Sequence, residues 1–331
     1  MKADKLKNVG SRVAAGKRKY PGTGFIDCAG YRNCILLENA ETRVVLGHHC
    51  GGRVLEYSFK GRNAVVLDPK QDGWVYSAGK PEIDPYGGRF DLGPEMTIPK
   101  HPLLWLGEWQ PEIIGPRQAR LTSRPDSNTG VQLMREFKLD RKTSRLLCRQ
   151  TIKNISRETK KYCHWSRTLA PGGGICLIPL TRPSRFPKSY VMYGPGPVIN
   201  YQPADPNIRI RDGFLEITGP PANPKLGLDS SAGWFAYLLP GDLMFVKKFP
   251  VYPERVYNEI AAITISIYYL RNKLCELEPI GPQEILKPGE CAAFQEEWRL
   301  LEYPFPAGPA DLRQITELKN SDQWSVKDKK N

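Results

Sequence analysis

"NCILLENAETRVVLGHHCGGRVLEYSFKGRNAVVL", residues 33–67, alternates apolar and polar residues in short runs. The runs break at 38–41, at Gly51-Gly52 and at 60–63, where turn-forming residues collect. A period of two over a few residues, interrupted by such turns, specifies short strands and leaves no span long enough for a helix. The same rhythm continues in "QARLTSRPDSNTGVQLMREFKL" (118–139), "GWFAYLL" (233–239), "LMFVKKF" (243–249) and "CAAFQEEWRLLEY" (291–303). With 30 glycines and 30 prolines in 331 residues, turns are frequent throughout. The expected fold is all-β, a large antiparallel sandwich forming one domain over residues 20–304. A basic arm (1–19) precedes it. An extension (305–331) follows, with one short helical pattern, "GPADLRQITELKN", that looks peripheral.

Several function classes fall away on composition. No strand is followed by G-x-G-x-x-G, so a nucleotide-binding βαβ unit is not expected, and neither is any cofactor. No apolar run approaches the roughly 20 residues of a membrane span, and the N-terminus lacks the apolar core of a secretory leader. The eight cysteines form no CxxC pair. They read as reduced thiols of a cytoplasmic protein rather than a zinc framework, with an exported, disulfide-bonded form as the alternative. His48 and His49 are adjacent, which on a strand would put them on opposite faces, so no metal site is expected.

The net charge is +13, but it is concentrated. Residues 1–19 hold seven Lys/Arg and one Asp, and residues 117–167 hold fourteen Lys/Arg and four Asp/Glu. Within the second block, Arg145, Arg149 and Lys153 share one strand face, opposite Leu146, Cys148 and Ile152. That face is either the solvated side of a sheet or a patch for an anionic partner. No aromatic residues interleave with it and no nucleic-acid motif accompanies it, so nucleic acid is not expected as a partner, and neither is a membrane.

The chemistry-bearing candidates lie in three places. "CELEPIGP" (275–282) puts Glu276 and Glu278 on one strand face, with Pro279 holding Glu278 extended at the strand end. Two carboxylates sharing a cleft raise one pKa, which suits a general base; the alternative is that they face water or pair with arginines such as Arg53 or Arg89. His164 and Trp165 sit in "CHWSRTLAPGGG", and His101 precedes "PLLWLGEW" in a Gly/Pro-rich region. Tryptophan beside polar side chains is a composition that suits sugar binding.

Taken together these segments resemble the galactose mutarotase-like (aldose 1-epimerase) superfamily. "LGHHCGGRVLEYSFKGRN" is similar to its opening hairpin, "CHWSRTLAPGGG" to its central segment with a catalytic histidine, and "KLCELEPIGPQEILKPGECAAFQEEWRL" to its late strand pair with a catalytic glutamate. "KLGLDSSAGWFAYLLPGDLMFVKKF" is nearer to a bacterial branch than to true galactose mutarotases. The resemblance implies a super-β-sandwich with a sugar cleft on one sheet. It also implies Glu278 as base and His164 as acid, with Arg89 and His101 as substrate contacts. The departures are Cys163 in place of the family's asparagine and Ser166-Arg167-Thr168 in place of Tyr-Phe-Asn. Three functions follow as expectations: a mutarotase, a glycan-binding protein without catalysis, or a lyase for an anionic polysaccharide. The ligand in each is a small sugar or glycan, with an anionic one favoured by the basic block.

Overall fold

The computed structural model describes residues 20–196 and 198–320; the expected basic arm 1–19 and the tail 321–331 lie outside them. Two antiparallel sheets, of 13 and 10 strands, pack face to face. The alternation read from the sequence sets their inner faces. In the strand Leu146–Asn154, Leu146, Cys148, Gln150 and Ile152 are buried while Arg149 and Lys153 are exposed. Its neighbours Val131–Leu139 and Cys291–Glu302 supply Leu133, Phe137, Phe294 and Trp298 to the same core.

The middle of the first sheet runs in the order Gly88–Gly93, Lys160–Pro171, Leu274–Pro279, Ile265–Leu270, Lys225–Leu228. Its outer face is not open to solvent there. Side chains of residues 95–105 lie across it: Trp105 stacks on Arg89, His101 bonds Asp91 and Glu95 pairs with Lys225. These strands are therefore buried on both sides.

The interior between the sheets holds charge. Lys247, from the second sheet, and Glu296 are both fully buried, with Nζ and Oε2 3.0 Å apart. Lys247 also donates to the Thr168 hydroxyl (3.1 Å) and the Leu277 carbonyl (3.0 Å) of the first sheet.

Three details differ from the sequence-based expectations. The helix Leu312–Asn320 is not peripheral. Asp311 caps it by accepting from the Gln314 amide (2.9 Å), and Leu312 and Ile315, three apart, share one face. That face is buried against Leu177, Trp234, Met244 and Val246 on the outer side of the second sheet. Second, residues 48–50 follow the strand Thr42–Gly47 rather than continuing it, so the rings of His48 and His49 lie together with centroids 3.8 Å apart. Third, Arg145 and Arg149 meet Glu297 and Glu136 on the second sheet, remote from the face described next. All eight cysteines are free. Among the described residues, no helix is long and apolar enough to cross a membrane.

Candidate functional site

Register decides which side chains meet. Trp165 pairs with Asp91 and Arg167 with Arg89 across one strand boundary, and Leu169 pairs with Glu276 across the other. Directly opposed antiparallel residues point to the same face. Arg89, Asp91, Trp165, Arg167, Glu276 and Glu278 thus share the outer face of the first sheet. Arg167 is the hub. Its Nε donates to Glu278 Oε1 (3.0 Å), and its Nη2 lies 3.3 Å from both oxygens of Glu276. Arg89 donates to Glu276 (3.0 Å) and to Asp84. Ladder-like stacking covers the cations: Arg89 is 4.1 Å from the Trp105 ring centroid, Arg167 is 5.1 Å from Trp105 and 4.7 Å from Trp165, and Lys225 is 5.4 Å from Trp165.

Beside this ladder opens a pocket of about 260 Å³, lined by Asp91, Glu95, Lys100, His101, Trp105 and Arg167 among others. His101 donates through Nε2 to Asp91 (2.7 Å) and through Nδ1 to the Pro99 carbonyl (2.7 Å). Both ring nitrogens donate only in the cation. Burial opposes that charge, but Asp91 and the Pro99 carbonyl outweigh it and push the pKa up to about 9. Among the described residues, Arg167 Nη1 and Asp91 Oδ2 make no hydrogen bond.

Glu276, Glu278, Arg89, His101 and Trp165 are brought to one region; two other candidates are not. His164 is on the opposite face of its strand. Its ring stacks between Phe90 and Phe294 in the core, its Nε2 is 3.3 Å from the Ala292 carbonyl, and burial pushes its pKa down to about 4. It cannot oppose Glu278 across a bound sugar, because the sheet itself lies between them. Arg53 is buried one strand further on, bonded to the Cys50 and Tyr86 carbonyls and the Tyr31 hydroxyl. Trp165 offers no open ring face for a sugar, since it is buried under Arg167 and Lys225. Sequence reasoning missed Asp91, Trp105, Arg167 and Lys225. Asp91 and Arg167 each lie two residues from a residue it did select, Arg89 and Trp165.

Glu278 is only 1% exposed. Burial, and then the neighbouring Glu276, push its pKa from the model-compound 4.5 up to about 7, against the pull of Arg167 and Lys225. A carboxyl raised in the folded state contributes stability below its unfolded pKa and loses it as pH rises through the folded one. Unfolding between these two values releases a proton. The Glu278 contribution is therefore expected to fall as pH rises from about 4.5 through about 7. Glu278→Gln should remove that part of the slope. Urea unfolding of parent and variant at about pH 5 and pH 8 checks this. Identical slopes would mean that Glu278 is ionised against Arg167 throughout.

Among the described residues no group of three metal-ligating side chains is placed to hold a metal ion. No protein-family model matches the sequence, and no curated protein does. Solved structures do match in shape. A galactose mutarotase-like protein from Lactobacillus casei ATCC 334 superposes with a TM-score of 0.56 at 12% identity, covering 81% of this chain and 100% of its own. The Slr1438 protein from Synechocystis sp. PCC 6803 gives 0.57 at 15% identity, covering 84% and 99%. A putative aldose 1-epimerase from Escherichia coli K12 gives 0.55 at 12% identity, covering 82% and 99%. The chain thus has the galactose mutarotase-like fold, a large antiparallel β-sandwich in one domain, with its charged cleft on the outer face of the 13-stranded sheet.

Proposed function

We propose that the cleft binds a small sugar, and that binding rather than exchange at the anomeric carbon is its task. The observation that supports this reading is the position of Arg167. It occupies the carboxylate pair from which a general base would come, and leaves one guanidinium nitrogen and one oxygen of Asp91 free at the pocket. A donor and an acceptor side by side suit the hydroxyls of a sugar, each of which both gives and accepts a hydrogen bond. Because Trp165 is buried under its cations, recognition rests mainly on polar contacts. The basic residues 145–153 lie on the other sheet, so they give no reason for the cleft to select an anionic sugar.

The test is a panel of neutral and acidic monosaccharides, followed by tryptophan fluorescence, since Trp105 lines the pocket. At least one sugar is expected to change the emission saturably. Asp91→Asn should weaken it about tenfold or more, as loss of a buried charged hydrogen-bond partner does. A flat response to every sugar would defeat the proposal.

A second reading has one observation in its favour: a carboxyl near pKa 7, as on Glu278, suits a general base at neutral pH. It needs Arg167 to swing aside, and the protonated His101 to serve as donor in place of His164. Magnetisation-exchange NMR on the bound sugar decides. The binding reading expects no acceleration of anomeric exchange. If exchange is accelerated and Glu278→Gln abolishes it, the catalytic reading stands instead.

A further inference from the structure

The segment that roofs the cleft has a second side. Pro102 and Trp105, three apart on the single helical turn Pro102–Trp105, face the cleft pocket. Leu103, Gly107 and Glu108 line a different cavity of about 300 Å³, together with His49, Tyr76 and Arg124. That volume is at the lower end of those that hold small molecules.

The polar groups around this cavity are only partly engaged with one another. His48 and His49 lie ring against ring, and Tyr31 stacks on His49 at 4.8 Å. The Nδ1 atoms of both histidines are buried without a hydrogen bond. Glu108 approaches His48 Nε2 and Arg124 Nη2 only at 3.9 Å each, beyond hydrogen-bond length. Tyr76, half-buried, also lines the cavity. Glu108 and Arg124 are largely exposed, so a polar ligand entering the cavity would exchange water for these side chains and for the rings of His49 and Tyr76.

We propose that this cavity is a second ligand site, separate from the cleft, for a neutral hydroxyl-rich molecule such as a sugar unit, held by His49, Tyr76, Glu108 and Arg124. The chemistry selects the class. Burial, with the neighbouring His49 adding for His48, keeps both imidazoles below their ordinary pKa, so each is neutral, and His49 already turns to the Arg32 backbone. Glu108 and Arg124 stand 3.9 Å apart and balance each other's charge, so the cavity favours neither an anion nor a cation. Hydroxyls use donors and acceptors together, and Tyr76 and His49 supply ring surface for C–H groups.

The four histidines make the test direct, because they report different places: His49, which lines it, and His48, stacked on His49, the second cavity; His101 the cleft; His164 the core. The protein labelled with 13C-histidine is titrated with glucose, galactose and cellobiose. At least one is expected to shift the His48 and His49 ring signals saturably while His164 stays still. Arg124→Met and Glu108→Gln, at side chains 65% and 57% exposed and so harmless to folding, should each weaken that response about tenfold. Asp91→Asn should leave it unchanged, whatever it does to His101. If His48 and His49 do not respond to any of the three sugars, or respond equally in the Arg124 and Glu108 variants, the second site is wrong. If their response disappears with Asp91→Asn, it is an echo of the cleft, and the proposal is equally overturned. The His101 signal answers separately for the cleft.

Discussion

A chain ending at residue 304 is expected not to fold. The missing helix Leu312–Asn320 covers the outer face of the second sheet, and without it Leu177, Trp234, Met244 and Val246 face water. Truncating a single buried Leu or Ile to Ala costs about 2–5 kcal/mol. Removing Leu312 and Ile315 together with the rest of the helix should therefore exceed about 5 kcal/mol, which reaches the whole stability of many domains. The uncovered strands are apolar and β-prone, so the expected outcome is aggregation during expression. Ile315→Ala in the full chain is the graded version, with an expected loss of about 2–5 kcal/mol by urea unfolding. A soluble 1–304 chain melting within a few degrees of the parent would show that the helix contributes little.

The second large effect is expected at Arg167. Arg167→Met keeps the length of the side chain and its contact with the two indoles but withdraws the cation shared by Glu276 and Glu278. Breaking a buried ion pair by removing one partner costs about 3–5 kcal/mol, because the other charge is left unpaired. Arg89 still meets Glu276, so the penalty should fall mainly on Glu278, in full only at a pH above its raised pKa, since a protonated carboxyl leaves no charge unpaired. Arg167→Met combined with Glu278→Leu should recover most of it, since an apolar pair of similar volume is often no less stable than a buried ionic one. Sugar binding should be lost in both. Chemical denaturation of the parent, the single and the double variant checks this. A loss under about 1 kcal/mol in the single variant would mean that Arg167 is not the counter-charge.

The fold was legible because most strands have one wet face. In Leu146–Asn154 the alternation alone separates Cys148 and Ile152 from Arg149 and Lys153. The site was half legible. Glu276 and Glu278 could be paired from their spacing, and Arg89 and His101 from the turn-rich region around them. The placement of His164 failed for a physical reason. The strand Lys160–Pro171 is buried on both sides, and each side carries polar and apolar residues: Tyr162, His164, Ser166 and Thr168 inward, Cys163, Trp165, Arg167 and Leu169 outward. Doubly buried strands lose the period of two, so local sequence cannot say which set faces the cleft. The neighbouring register settles it, by pairing Trp165 with Asp91. The helix was read as peripheral because its apolar stripe is only two or three residues wide, and its partner surface is on distant strands.

The pair Lys247–Glu296 carries a consequence for how this sequence can vary. Lys247 reaches from one sheet to the Leu277 carbonyl of the other, so it ties the two layers at the peptide between Leu277 and Glu278. Replacing either member alone strands a charge in the dry interior, and Glu296 also steadies the buried Arg135, so replacing the pair leaves that guanidinium without its carboxylate. Neutral drift at these positions is therefore blocked one step at a time and open only when Arg135 changes as well. Related chains should carry either both charges or neither, and a chain with neither should show looser coupling between the sheets beneath the cleft.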